Sequence, residues 1–151
     1  MIMTQAIREA IQLRAADETD IPFLMVLRER TMRLHLENSG LEYESEEQLT
    51  RVTASFEHAR IVQINGVDAG LLKLHRDGNP WYLHQIQIAP EFQGKGHGEA
   101  VVRTILAEAA AAGVGVELYV LKVNPARRLY EKLGFRVFDE DELEYRMRTH
   151  P

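Results

Sequence analysis

Ile86-Gln87-Ile88-Ala89-Pro90-Glu91-Phe92-Gln93-Gly94-Lys95-Gly96-His97-Gly98 is the stretch whose reading decides the fold. It runs from an alternating apolar strand through a proline into a glycine-rich loop, and the next residues begin an amphipathic helix. Glycines let a backbone come close to a ligand and aim several N–H groups at one point, and a helix N-terminus adds partial positive charge there. Strand, glycine loop and helix together are therefore a phosphate-binding arrangement. Two familiar versions fail. A P-loop needs Ser or Thr after its lysine, but Lys95 is followed by Gly96. A Gly-x-Gly-x-x-Gly fingerprint started at Gly94 or Gly96 requires a third glycine where Glu99 or Val101 stands.

Working outward, the hydrophobic period alternates between strand and helix values, as in an α/β fold. Towards the N-terminus, Trp81–Ile88 reads as a strand with a change of parity: Trp81 and Leu83 are apolar on odd positions, Ile86 and Ile88 on even ones. A strand changes face only by taking an extra residue, which predicts a β-bulge near His84-Gln85. Before it lie strands at Arg60–Ile64 and Val67–His75, joined by the hairpin signal Asn65-Gly66. A first strand fits Ile11–Ala15. A helix follows the start signals Asp17–Asp20 with Pro22 in its first turn, and Ser45-Glu46-Glu47-Gln48 reads as a capping box for a second helix. On the C-terminal side the loop helix ends near Gly113 and a strand fits Val116–Val120. Asn124-Pro125 opens another helix as N-cap and N1, closed by Gly134, and Phe135–Phe138 and Leu143–Met147 form a last strand pair.

The chain has 151 residues, 45% hydrophobic and 27% charged, which fits one domain. No repeat or Pro/Gly/Ser linker divides it. It contains no cysteine, which excludes disulfides, thiolate metal sites and a cysteine nucleophile. The N-terminus lacks a signal-peptide pattern and no apolar run reaches membrane-spanning length, so a cytoplasmic location and no membrane partner are expected. A net charge of −5 argues against nucleic acid as a partner.

The strand–proline–Gln-x-x-Gly-x-Gly pattern of residues 86–98 resembles the acetyl-CoA motif of the GNAT N-acetyltransferases. A second segment, Asn124-Pro125-Ala126-Arg127-Arg128-Leu129-Tyr130-Glu131-Lys132-Leu133-Gly134-Phe135, is similar to that family's closing motif. The order of elements from Ile11 onward agrees as well. The resemblance implies one acetyltransferase domain over residues 1–151. Its expected fold is a mixed, mostly antiparallel sheet of six to seven strands, with helices on both faces and splayed central strands. It implies acetyl-CoA as co-substrate, no metal, and transfer of the acetyl group to a primary amine of a small molecule, amino acid or peptide. A catalytically silent acyl-CoA-binding module is the alternative.

Residue by residue, the resemblance assigns the pantetheine arm to backbone groups of Ile86 and Ile88, in the manner of an added strand. The pyrophosphate falls to the N–H groups of Gly94, Lys95, Gly96, His97 and Gly98, with Gln93 at the loop entrance. Asn124 and Arg127 lie near the cofactor on the other side. The interval from Asn124 to Tyr130 is six residues where seven is common, which turns Asn124 to a different face. Tyr130 matches the general acid that protonates the departing thiolate. The base is read from the residues: Trp81–Ile88 holds no carboxylate, His84 stands at the expected bulge with an intrinsic pKa near 6.5, Glu117 on the next strand is the second candidate, and a water chain or bulk solvent is the alternative to both. For the acceptor, Arg30, Arg33, His35 and Glu37 and the acidic run Glu42–Glu47 lie where the family binds its substrate. The acids would draw a cationic amine and the arginines a carboxylate. The final strand Leu143–Met147 is expected to offer an edge, and a homodimer is possible.

Overall fold

The computed structural model describes residues 10–151. Among these, seven strands form one sheet in the order β1-β2-β3-β4-β5-β7-β6. The strands are β1 (Ile11–Ala15), β2 (Ala59–Ile64), β3 (Val67–His75), β4 (Trp81–Ile88), β5 (Val116–Leu121), β6 (Arg136–Glu140) and β7 (Glu144–Arg148). All pairs are antiparallel except β4 with β5. Four α-helices flank the sheet: α1 (Ile21–Asn38), α2 (Ser45–Thr53), α3 (His97–Ala111) and α4 (Ala126–Lys132). The expected architecture is the observed one.

Helices cover both faces because strand side chains alternate. Leu24, Leu27 and Val52 of α1 and α2 pack with Ala59, Ile61 and Leu71 on one face. Val101, Val102, Ile105 and Ala109 of α3 and Tyr130 of α4 pack with Val62, Leu72, Leu83 and Leu118 on the other. The turn between β2 and β3 places Asn65 at φ 52° and Gly66 at φ 80°, the paired left-handed conformation of a tight hairpin. Before α1, Asp17 caps a short 3-10 turn: its side chain accepts from the Thr19 N–H at 2.8 Å, and Asp20 accepts from the Asp17 N–H at 2.9 Å.

The bulge in β4 lies where the parity change puts it. Lys73 pairs with Gln85 and Leu74 with Leu83, leaving His84 without an opposite residue. The extra residue returns Ile86 and Ile88 to the face of Trp81 and Leu83, and all four join the α3 side of the core.

Two sequence readings are corrected. Ser45 is the first residue of α2 rather than its cap, and the helix begins without a side-chain cap because Gln48 is drawn inward to the Arg28 guanidinium. The last strand, β7, is not an edge. It inserts between β5 and β6, hydrogen-bonded on both sides, so the exposed edge is β6, solvent-accessible along its length.

Candidate active site

The bulge and the sheet order create the site. β4 and β5 pair only over Trp81–Leu83 with Val116–Leu118. Beyond His84 the two strands part, and a cavity of about 490 Å³ occupies the opening. His84, Ile86, Asn124 and Tyr130 all line it.

The backbone of β4 is directed by the same alternation. The Ala89 N–H donates to the Ala69 carbonyl at 2.8 Å, and the Gln87 carbonyl lies so close over Gly70 that a Cβ there would sit 2.3 Å from it. Gln87 and Ala89 therefore bond towards β3. Ile86 and Ile88, one residue out of phase, turn their N–H and C=O towards the gap. One of these groups is already engaged: Gln93 Nε2 donates to the Ile88 carbonyl at 2.8 Å. Gln93 thus straps the glycine loop back onto β4.

In the loop, Gly94 (φ 78°) and Gly96 (φ 82°) adopt left-handed conformations that a side chain disfavours. Gly96 is the residue before α3, and having no side chain it gives that helix no side-chain cap. His97 is buried at the helix start, and Gly98 packs over Ile88. Lys95 belongs to the exposed rim of the loop. The loop residues do not line the 490 Å³ cavity itself.

Tyr130 is 8% exposed, set edge-on against Phe135 with ring centroids 5.6 Å apart. Burial pushes its phenol up to about 12. His84 contacts Tyr82 edge-on at 4.4 Å, and its Nε2 is buried without a hydrogen-bond partner. Burial, and then the charge of Lys73, hold its imidazole below the usual histidine value. Gln85 Oε1 and Gln87 Oε1, on the same wall, are likewise buried and unpartnered. Such groups are costly to bury unless a ligand or water completes them.

Of the remaining sequence candidates, Asn124 lines the cavity and the others lie outside it. Asn124 Oδ1 accepts from the Ala126 N–H at 2.9 Å, so its side-chain oxygen caps α4 as well as facing the cavity. Arg127 pairs with Glu131 at 3.0 Å and stacks over the Tyr145 ring at 4.2 Å, outside the cavity lining. Glu117 is bound by Arg146 at 3.0 Å and is not among the residues that line the cavity. Arg30 pairs with Glu91 at 2.6 Å, and Arg33 with Glu29 and Glu37. Neither arginine reaches the cavity, nor does the acidic run Glu42–Glu47.

Sequence reasoning passed over four charged residues that do line it: Arg28, Arg51, Lys73 and Glu144. Two carried a signal. Arg28 interrupts the apolar stripe of Leu24 and Leu27, and Lys73 interrupts the run Leu71-Leu72-Lys73-Leu74. Glu144 carried none, because only the pairing of β7 with β5 brings it to the opening.

A mixed sheet parted between two parallel strands, with a glycine loop and helix N-terminus following the bulged strand, defines the N-acetyltransferase class of fold. This chain belongs to the GNAT acetyltransferase family: residues 56–137 match the model of the acetyltransferase (GNAT) domain. Similar solved structures agree on the fold. An acetyltransferase of Thermus thermophilus is 19% identical with a TM-score of 0.75, over 94% of this chain and 97% of that one. PaiA N-acetyltransferase of Thermoplasma acidophilum, solved with coenzyme A, is 19% identical with a TM-score of 0.72, over 94% and 99%. Arabidopsis thaliana Naa50, in complex with the bisubstrate analogue CoA-Ac-MVNAL, is 15% identical with a TM-score of 0.67, over 93% and 99%. No helix among the described residues is long and apolar enough to cross a membrane.

Proposed function

We propose that the protein transfers the acetyl group of acetyl-CoA to a primary amine in the opening between β4 and β5. The observation that carries this reading is the convergence of the Tyr130 phenol, the bulged His84 and the gap-facing backbone of Ile86 in one cavity. Acetyl-CoA fits the chain's own groups. Ile86 and Ile88 offer strand-like hydrogen bonds to an amide-bearing arm, and the uncapped start of α3 with Gly94–Gly98 offers N–H groups to a pyrophosphate. Bound there, acetyl-CoA supplies an activated acetyl group as a thioester.

The residues then divide the proton work. An alkylamine with a pKa near 10.4 is almost wholly protonated at neutral pH, so a base must free its lone pair. His84, held neutral by burial, accepts that proton at Nε2. As the amine nitrogen bonds the acetyl carbon and the carbon–sulfur bond breaks, the electron pair leaves on sulfur. Tyr130, kept protonated by its raised pKa, donates its proton to that thiolate, and the second proton of the attacking nitrogen is released as the amide forms and restores the phenol. A thiolate with a pKa near 8.5 already leaves well, so this donation contributes modestly.

Thermal unfolding with acetyl-CoA, desulfo-CoA and ATP tests the cofactor site. At 100 times Kd a true ligand adds about 2.7 kcal/mol. Stabilisation by both CoA species and not by ATP is expected. The absence of any shift with acetyl-CoA removes the reading.

A further inference from the structure

The cavity has a cationic end whose charges are unequally satisfied. Lys73, buried in β3, donates to the carbonyls of Arg51 at 3.2 Å, Val52 at 3.0 Å and Ala54 at 2.6 Å, closing the C-terminus of α2. All three of its protons are used. Arg51 pairs with Glu47 at 3.4 Å. Arg28 is different. It is 3% exposed, its Nε donates to Gln48, and its Nη1 is buried with no hydrogen-bond partner. No carboxylate among the described residues forms an ion pair with it.

An unpaired buried guanidinium is one of the costlier groups a fold can hold. Burial, and then the like charge of Arg51, pull its pKa down to about 10 against the attraction of Tyr43 and Glu47. Lys73 is pulled to about 8 by burial and by Arg28. Among the described residues the carboxylate that acts on Arg28, Glu47, is itself paired with Arg51, and Arg28 lines the cavity into which the acceptor must come. The phosphates of a bound coenzyme belong at the glycine loop, which does not line this cavity. The open Nη1 donor of Arg28 is thus placed to meet an anion carried by the acceptor.

We propose that the acceptor is an amino acid, a primary amine carrying a carboxylate, and that Arg28 holds that carboxylate at the α1–α2 end of the cavity. The proposal rests on the acetyltransferase reading above. A planar guanidinium fork matches a carboxylate in two parallel hydrogen bonds, and does so most strongly where water is excluded. Opposite charge is present as well. Glu144 of β7 also lines the cavity, where its carboxylate can attract the ammonium group of the same molecule.

The test pairs each of the twenty L-amino acids with its C-terminal amide, and adds O-phosphoethanolamine. Coenzyme A thiol release is followed at saturating acetyl-CoA. At least one acid is expected to exceed its amide by about tenfold or more in kcat/KM, with the difference in KM. In Arg28→Gln that ratio falls towards one, and Arg28→Lys keeps part of it. Equal use of acids and amides by the wild-type protein overturns the proposal, as does a ratio that survives Arg28→Gln. A preference for O-phosphoethanolamine over every amino acid overturns it in favour of phosphate. The wild-type comparison stands even where the variants do not fold. Where no acceptor is acetylated, N-acetyl-amino acids and their amides are compared as stabilisers of the wild-type protein with coenzyme A. A thermal shift from the acids alone supports the Arg28 site although transfer has failed, and no selective shift overturns it.

Discussion

At the scale of single residues, burial displaces two ionisable side chains of the cavity from their ordinary pKa values. Burial raises the Tyr130 phenol to about 12, so it stays protonated and able to donate at every pH where the fold operates. Tyr130→Phe removes the proton without emptying the space beside Phe135. We expect kcat to fall about 10²-fold at saturating acetyl-CoA, the low end for acid–base groups, because the thiolate leaves well unaided. Full activity in steady-state assays would take Tyr130 out of the mechanism. His84 is displaced downward by burial and by Lys73. Its neutral, accepting form thus persists below the usual histidine value, and the rate should drop only as pH falls through that lowered pKa. In a pH profile of kcat/KM, His84→Ala should abolish this acidic limb, and an unchanged limb would mean that another group takes the proton.

At the scale of elements, one extra residue in β4 has several consequences. It leaves His84 unpaired, brings Ile86 and Ile88 back to the α3 face, and coincides with the point where β5 departs. Gly70 of β3 permits this geometry, since a Cβ there would lie 2.3 Å from the Gln87 carbonyl oxygen, a backbone atom that cannot swing away. Gly70→Ala should therefore force β3 and β4 apart. We expect a loss of about 2–3 kcal/mol in denaturant unfolding, together with weaker coenzyme A binding, because the displaced strand presents Ile86 and Ile88. Wild-type stability in this variant would show that the two strands adjust freely. At the other end of the gap Asn124 Oδ1 accepts from the N–H of Ala126, the first residue of α4, the helix that carries Tyr130.

At the scale of the whole molecule, the two halves of the core are held by packing on either face of the sheet and, at one end, by a charged tie. Arg14 of β1 bonds Asp20 through both guanidinium nitrogens, at 2.9 and 2.8 Å, and reaches Asp68 of β3 at 3.1 Å. Asp20 is only 6% exposed, so its charge depends on this contact. The hydrogen bond from Arg14 holds the Asp20 carboxyl below its ordinary value. Its contribution is thus fully present above the unfolded pKa of about 4 and is lost as pH falls through the folded value. Arg14→Ala should cost about 1–3 kcal/mol at pH 7, the partly exposed guanidinium being screened by water, and should flatten the stability–pH slope in acid. Equilibrium unfolding at several pH values checks both. Phe135 is fully buried where α4 turns into β6 and touches Tyr130. Phe135→Ala is expected to cost about 3–5 kcal/mol and to loosen Tyr130 with it.

The sequence by itself determined what depends on near neighbours. Period-2 and period-3.6 patterning set the bounds of Ile11–Ala15, Val67–His75 and Trp81–Ile88, the parity change located the bulge at His84, and glycine placement marked the loop before α3. These features follow from backbone sterics and face alternation, which act over a few residues. Tertiary structure alone decided what depends on partners far along the chain. It inserted β7 between β5 and β6, turned Glu117 onto Arg146, took Arg30 and Arg33 into surface ion pairs, and brought Arg28, Lys73 and Glu144 to one cavity. A charged residue reads alike in sequence whether its partner is water, a carboxylate or a ligand. Only the packing of distant elements settles which of these it meets.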